Sequence, residues 1–155
     1  MDTSAIFGAQ YDAGGVISKS LIDTGFRLKI IIDEKFADKA SDSMDGLVYV
    51  VDFRDFGLMK KTLSDLENVF IILPSNIKDR NFIQSHLALL NSFLAILPEL
   101  QLKYIVYLPG VLSSESLSEE ERISFIKKER EFRVRVESLR AAQLVWMNSE
   151  NSCLY

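Results

Sequence analysis

Apolar residues along this chain follow two rhythms that alternate from one end to the other. Short continuous runs, many of them β-branched, are separated by longer stretches in which apolar positions recur every three or four residues. The first rhythm predicts strands covered on both faces, and the second predicts amphipathic helices. A short apolar strand ends at a tight turn at Gly8, and further runs at 27–33, 47–51, 69–73, 103–108 and 143–147 predict five more strands. Helices are predicted over 14–24, from the cap Asp55 to 66, over 77–97 and from Ser118 to 140. Gly25, Pro74 and Pro98 are natural stops, and Ser118 followed by three glutamates is a strong helix start. Residues 36–45 read as polar and irregular, with a short helix at most.

Strict alternation of strand and helix, with right-handed crossovers, predicts an α/β fold. Its core is a doubly wound parallel sheet of about six strands with helices on both faces. The 155 residues suit a single domain spanning 1–155, with no repeat or low-complexity linker. The helix over 77–97 is apolar on more than one stripe, so it either lies deep against the sheet or also packs on another subunit. In the last helix Ile123, Ile126, Phe132, Val136 and Leu139 are expected to face the core.

A net charge of −4 gives no general case for nucleic acid or an anionic membrane as partner. Lysines and arginines gather over 127–140, but Glu129, Glu131 and Glu137 are interleaved, as on a solvated, ion-paired face. The one cysteine, Cys153, excludes an internal disulfide and suits a reducing compartment. The N-terminus lacks the basic region of a secretion signal, and the apolar stretch over 82–97 carries too many polar residues to span a bilayer. A cytoplasmic protein is the expectation.

The first strand and helix contain the chain's most specific motif. Gly8 and Gly14 occupy the first and third positions of a G-x-x-G-x-x-G spacing, with Tyr11 at the second and Asp12 after it. In a dinucleotide-binding turn the first glycine makes the bend, the second lets backbone approach the pyrophosphate, and the third lets helix and strand pack closely. Gly8 and Gly14 meet the needs of the fold, while Tyr11 puts a ring where the ligand needs space. A positive φ at that position would cost Tyr11 ~1–2 kcal/mol. Asp12 is placed as an N-cap whose carboxylate would take the helix-start N–H groups a phosphate uses, and would repel that phosphate. Asp33, at the end of the second strand, stands where an acid binds the ribose 2′-OH of NAD, or it pairs with Lys35 on the surface.

Four stations in order resemble the NmrA-like atypical short-chain dehydrogenase/reductases. They are Ile6-Phe7-Gly8-Ala9 with Gly14-Gly15, then Val51-Asp52-Phe53-Arg54-Asp55, then Glu67-Asn68-Val69-Phe70-Ile71-Ile72-Leu73-Pro74, and last Leu102-Lys103-Tyr104-Ile105-Val106-Tyr107. The resemblance implies a Rossmann-type NAD(P)-binding domain, with Gly8, Tyr11, Asp12, Gly14, Asp33, Asp52, Phe53 and Pro74 at cofactor-facing positions. It leaves NAD or NADP as candidate cofactors, NAD being favoured by Asp33. It also implies a C-terminal substrate region, most of which this chain lacks.

The family's reductases use a Tyr four residues before a Lys and a hydroxyl near the end of strand five. Here no tyrosine has that lysine, and strand five ends in Leu108-Pro109. Lys128 has Ser124 four residues before it, and the only histidine, His86, sits on an apolar helix as a packed residue. One His and one Cys assemble no metal site. Two functions follow. One is a non-catalytic regulatory or structural interaction module, its partner or second copy held through the long helices or an exposed sheet edge. The other is a NAD(P)-binding redox sensor or oxidoreductase.

Overall fold

A computed structural model describes residues 3–40, 47–139 and 142–147. Six parallel strands form one sheet. In chain order the elements are β1 (Thr3–Phe7), α1 (Asp12–Asp23), β2 (Arg27–Asp33), a 3₁₀ segment (Glu34–Lys39), β3 (Leu47–Val51), α2 (Phe56–Leu63) and β4 (Asn68–Ile72). There follow β5 (Asn76–Ile77), α3 (Arg80–Ile96), β6 (Tyr104–Leu108), β7 (Val111–Leu112), α4 (Glu119–Leu139) and β8 (Gln143–Trp146). The main sheet runs β3-β2-β1-β4-β6-β8, and β5 and β7 make a separate parallel pair. This is the doubly wound Rossmann-like order, with its switch point between β1 and β4.

The β-branched runs explain the two cores. Ile6, Leu28, Ile30 and Ile32 point to one face, where Ala13, Ile17, Leu21 and Ile22 of α1 cover them. Ala5, Phe7, Ile31, Val69, Ile71, Ile105 and Tyr107 point to the other, under α2, α3 and α4. On the α1 side the far end of the sheet carries exposed apolar residues among those described: Tyr104 is 44%, Val145 38% and Met147 42% exposed.

Most boundaries predicted from the pattern match. Gly25 (φ 96°) follows the end of α1, and the Asp55 carboxylate caps α2 by accepting the Leu58 N–H at 3.0 Å. Ser118 and Glu121 form a reciprocal capping box: each backbone N–H donates to the other's side chain, at 2.8 and 3.1 Å.

Three expectations need correction. The third helix starts at Arg80, because residues 76 and 77 form β5 and Asp79 caps the helix by accepting the Asn81 N–H at 2.8 Å. Helix α4 faces the core at Phe132 and Val136 as expected, but not at the other three positions expected to do so. Phe125, Phe132 and Val136 are buried, whereas Ile123, Ile126 and Leu139 are exposed. The inward stripe steps 125, 129, 132, 136, and Glu129 at its centre disguises it. The N-cap of α1 is Tyr11, with Asp12 as the first helical residue. Cys153, Arg140 and residues 41–45 lie outside the described residues.

Candidate functional site

In an open parallel sheet the ligand crevice lies beyond the carboxyl ends of the strands at the switch point. Here that position, between the Gly8 turn, the end of β2 and the first turns of α3, holds a cavity of only about 30 Å³.

The glycine turn is built as the fold requires. Gly8 has φ 105°, and a Cβ on it would stand 1.8 Å from the Ile72 carbonyl oxygen. A Cβ on Gly14 would stand 1.9 Å from the Gly8 carbonyl oxygen, so α1 packs against β1 only with glycine there. Tyr11 has φ −103°, so no left-handed strain arises at this position. Its N–H donates to the Gly8 carbonyl at 3.1 Å and its carbonyl accepts from Gly15 at 2.8 Å, which starts the helix.

The Tyr11 ring meets the Phe82 ring edge-on at 5.4 Å. Burial, with Asp79 nearby, pushes its hydroxyl pKa up to about 12. The Asp12 carboxylate accepts the Ser75 hydroxyl at 2.6 Å. That bond, with backbone N–H groups of Ala13, Ser75 and Asp12 itself, holds its pKa below the ordinary value. Asp12 is thus not the cap, but it does engage the amides of the helix start.

Asp33 is 1% exposed and does not pair with Lys35, whose ammonium instead donates to Gln84 at 2.8 Å. One Asp33 carboxylate oxygen accepts the Ser85 hydroxyl at 2.6 Å, and the other accepts the Phe53 N–H at 3.3 Å. The oxygens that would meet a ribose therefore already have donors from the protein. Phe53 is a core residue, edge-on to Phe7 at 5.6 Å. Asp52 turns outward and accepts the Arg54 N–H at 2.9 Å. Pro74 belongs to the neighbouring crest: its carbonyl oxygen would lie 2.0 Å from a Cβ on Gly110.

The crest between β4 and β6 is laced by backbone. Leu73 donates to Leu108 at 3.0 Å, Val111 to Ser75 at 3.1 Å, and Ser113 to Ile77 at 2.8 Å. The β5–β7 pair was not foreseen, since two-residue strands leave no periodicity to read. Gly110, placed where the close approach to Pro74 demands it, was the available signal.

His86 is packed, as expected, between Phe82 (5.4 Å) and Phe125 (5.3 Å), both rings stacked on it. It also belongs to a polar cluster that the sequence reading missed. His86 Nε2 lies 2.8 Å from the Tyr107 hydroxyl, which donates to Glu129 Oε2 at 2.5 Å. Burial lowers the His86 pKa to about 3, and burial raises that of Glu129 to about 7 against the Tyr107 hydrogen bond. Among the described residues no group of three or more His, Cys, Asp or Glu could hold a metal. Nor is any described helix long and apolar enough to cross a membrane.

No protein-family model matches the chain, and no curated protein matches it by sequence. Solved structures share its fold. A UDP-Glc/GlcNAc 4-epimerase from Campylobacter jejuni superposes with a TM-score of 0.70 at 10% identity, over 96% of this chain and 53% of that one. The UDP-glucose 4-epimerase from Bifidobacterium longum, in complex with NAD+ and UDP, gives 0.67 at 12% identity, over 94% and 52%. A Rossmann-fold NAD(P)-binding family protein from Shigella flexneri gives 0.65 at 13% identity, over 96% and 66%. The chain spans about half the length of the two epimerases.

Proposed function

We propose that this protein is a non-catalytic Rossmann module of the NmrA-like, atypical short-chain dehydrogenase/reductase type, working as a regulatory or structural interaction protein in the cytoplasm. The observation that carries the reading is the state of Asp33. Its two oxygens are bound by Ser85 and Phe53, in a crevice reduced to about 30 Å³. A dinucleotide would have to break the Asp33–Ser85 bond, move Phe82 off Tyr11 and part Asp12 from Ser75. The chemistry agrees, since no Tyr-x-x-x-Lys pair exists and Tyr107, near the end of β6, is buried on Glu129. The exposed patch of Tyr104, Val145 and Met147 offers a surface for a protein partner.

The second reading, a NAD(P)-binding redox sensor, is favoured by the intact bend at Gly8 and the close packing at Gly14, the two features such a fold keeps when it binds. Thermal unfolding with NAD+, NADH, NADP+ and NADPH at millimolar concentration separates the two. A site of ~10 μM affinity would add about 2.7 kcal/mol at 1 mM ligand, and the module reading expects no shift.

A further inference from the structure

Three side chains from three elements meet in the layer between the sheet and its outer helices: His86 of α3, Tyr107 of β6 and Glu129 of α4. Their direction of hydrogen bonding follows from proton counting. The Tyr107 hydroxyl has one proton and gives it to Glu129, so it can only accept from His86. While Tyr107 donates to Glu129, His86 must therefore carry its proton on Nε2. The imidazole cannot turn to escape this, because Phe82 and Phe125 sandwich it and it is 4% exposed. Tyr107 is equally fixed, fully buried and stacked on Trp146 at 4.2 Å.

An ionised carboxylate only accepts hydrogen bonds, whereas a protonated one can also donate. With the carboxylate ionised the chain has one permitted direction, and with the carboxyl protonated both directions are open. Among the described residues Glu129 forms no ion pair: α3 brings His86 and β6 brings Tyr107 to the cluster, and Trp146 of β8 stacks on Tyr107. On α4 itself Lys128 pairs with Glu131 at 3.0 Å. Arg133 pairs with Glu137 at 3.5 Å and lies over the Trp146 ring at 4.9 Å. Arg122 lies two turns earlier on the helix.

We propose that Glu129, Tyr107 and His86 form a proton-operated polarity switch, in which loss of the Glu129 proton fixes His86 as the Nε2–H tautomer in the wall of the crevice. The exchange balances. Where His86 starts as the Nε2–H tautomer, Glu129 releases its proton to solvent and Tyr107 keeps its own; where His86 starts as Nδ1–H, Glu129 passes its proton to Tyr107, Tyr107 passes its own to Nε2, and the Nδ1 proton leaves to solvent, so one proton is released either way. Burial of the carboxyl, which raises its pKa to about 7, puts the change within the physiological range.

His86 is the only histidine in the chain, so its ring nitrogens can be read by NMR without ambiguity. Long-range ¹H–¹⁵N spectra of the intact chain from pH 5.5 to 8.5 should show mixed tautomers at low pH. They should pass to more than 90% Nε2–H above pH 8, with a midpoint near 7. In Glu129→Gln the tautomer ratio should not change with pH. Should that variant fail to fold, Tyr107→Phe cuts the chain at its middle and should abolish the transition equally. A wild-type ratio constant over the range, or a transition that persists in either variant, would overturn the proposal.

Discussion

The Ser85 hydroxyl donates to the Asp33 carboxylate over 2.6 Å, joining the first turns of α3 to the end of β2 across 52 residues of sequence. Both groups are buried, so the bond closes the crevice and satisfies an acid that burial would otherwise penalise. Ser85→Ala should therefore lower stability by ~1–3 kcal/mol, since it leaves a buried oxygen without its donor. Urea unfolding monitored by circular dichroism measures this. A variant as stable as the parent would mean that water replaces the hydroxyl at no cost.

The glycines of the first turn should differ sharply from Gly25. Ala at Gly8 or Gly14 drives a methyl into a backbone carbonyl oxygen, and each should cost more than ~3 kcal/mol or prevent folding. Gly25 shares the left-handed φ of Gly8 but has open space around it, so Gly25→Ala should cost only ~1–2 kcal/mol. Equal losses at Gly8 and Gly25 in denaturation midpoints would show that backbone conformation, rather than close packing, sets the requirement at Gly8.

Stability against pH should carry two opposed contributions. His86 has a folded pKa near 3, below its ordinary 6.5, so its contribution is full above pH 6.5 and is lost as pH falls towards 3. Glu129 has a folded pKa near 7, above its ordinary 4.5, so its contribution is full below 4.5 and is lost as pH rises through 7. Between pH 4.5 and 6.5 the two slopes largely cancel. Glu129→Gln removes one of them, and the variant should gain stability with rising pH across that window, at up to ~1.4 kcal/mol per unit. Chemical denaturation at half-unit intervals would show it, and parallel curves for the two proteins would contradict the assignment.

Opening the crevice should be achievable from its aromatic side. Tyr11→Gly with Phe82→Ala removes both rings of the edge-on contact and leaves Gly8 and Gly14 in place. Relative to the parent, this double variant should gain affinity for NAD+ by at least tenfold, measured by equilibrium dialysis. No gain would place the barrier at Asp33 and Ser85 instead.

The alternating sheet and helix layers could be read directly, because buried parallel strands need continuous runs such as Leu28 and Ile30 to Ile32, and few other environments tolerate them. The separate duties of Gly8 and Gly14 could also be read, since each duty is local. What closes the crevice could not. Ser85 reads as an ordinary polar residue on a helix until the fold sets it beside Asp33. Glu129 was assigned to a solvated face by its charge, although Phe125 and Phe132, four residues before it and three after, place it on the apolar stripe. The same misreading sent Ile123 and Ile126 inward.

In the proposed module the protein's own side chains occupy the crevice where a dinucleotide would lie. Calorimetric titration of the intact chain with NAD+ to 1 mM tests it most directly, with the Tyr11→Gly, Phe82→Ala variant alongside. No saturable heat is expected for the parent. Saturable one-to-one binding by the unaltered chain, at 100 μM or tighter, would contradict it.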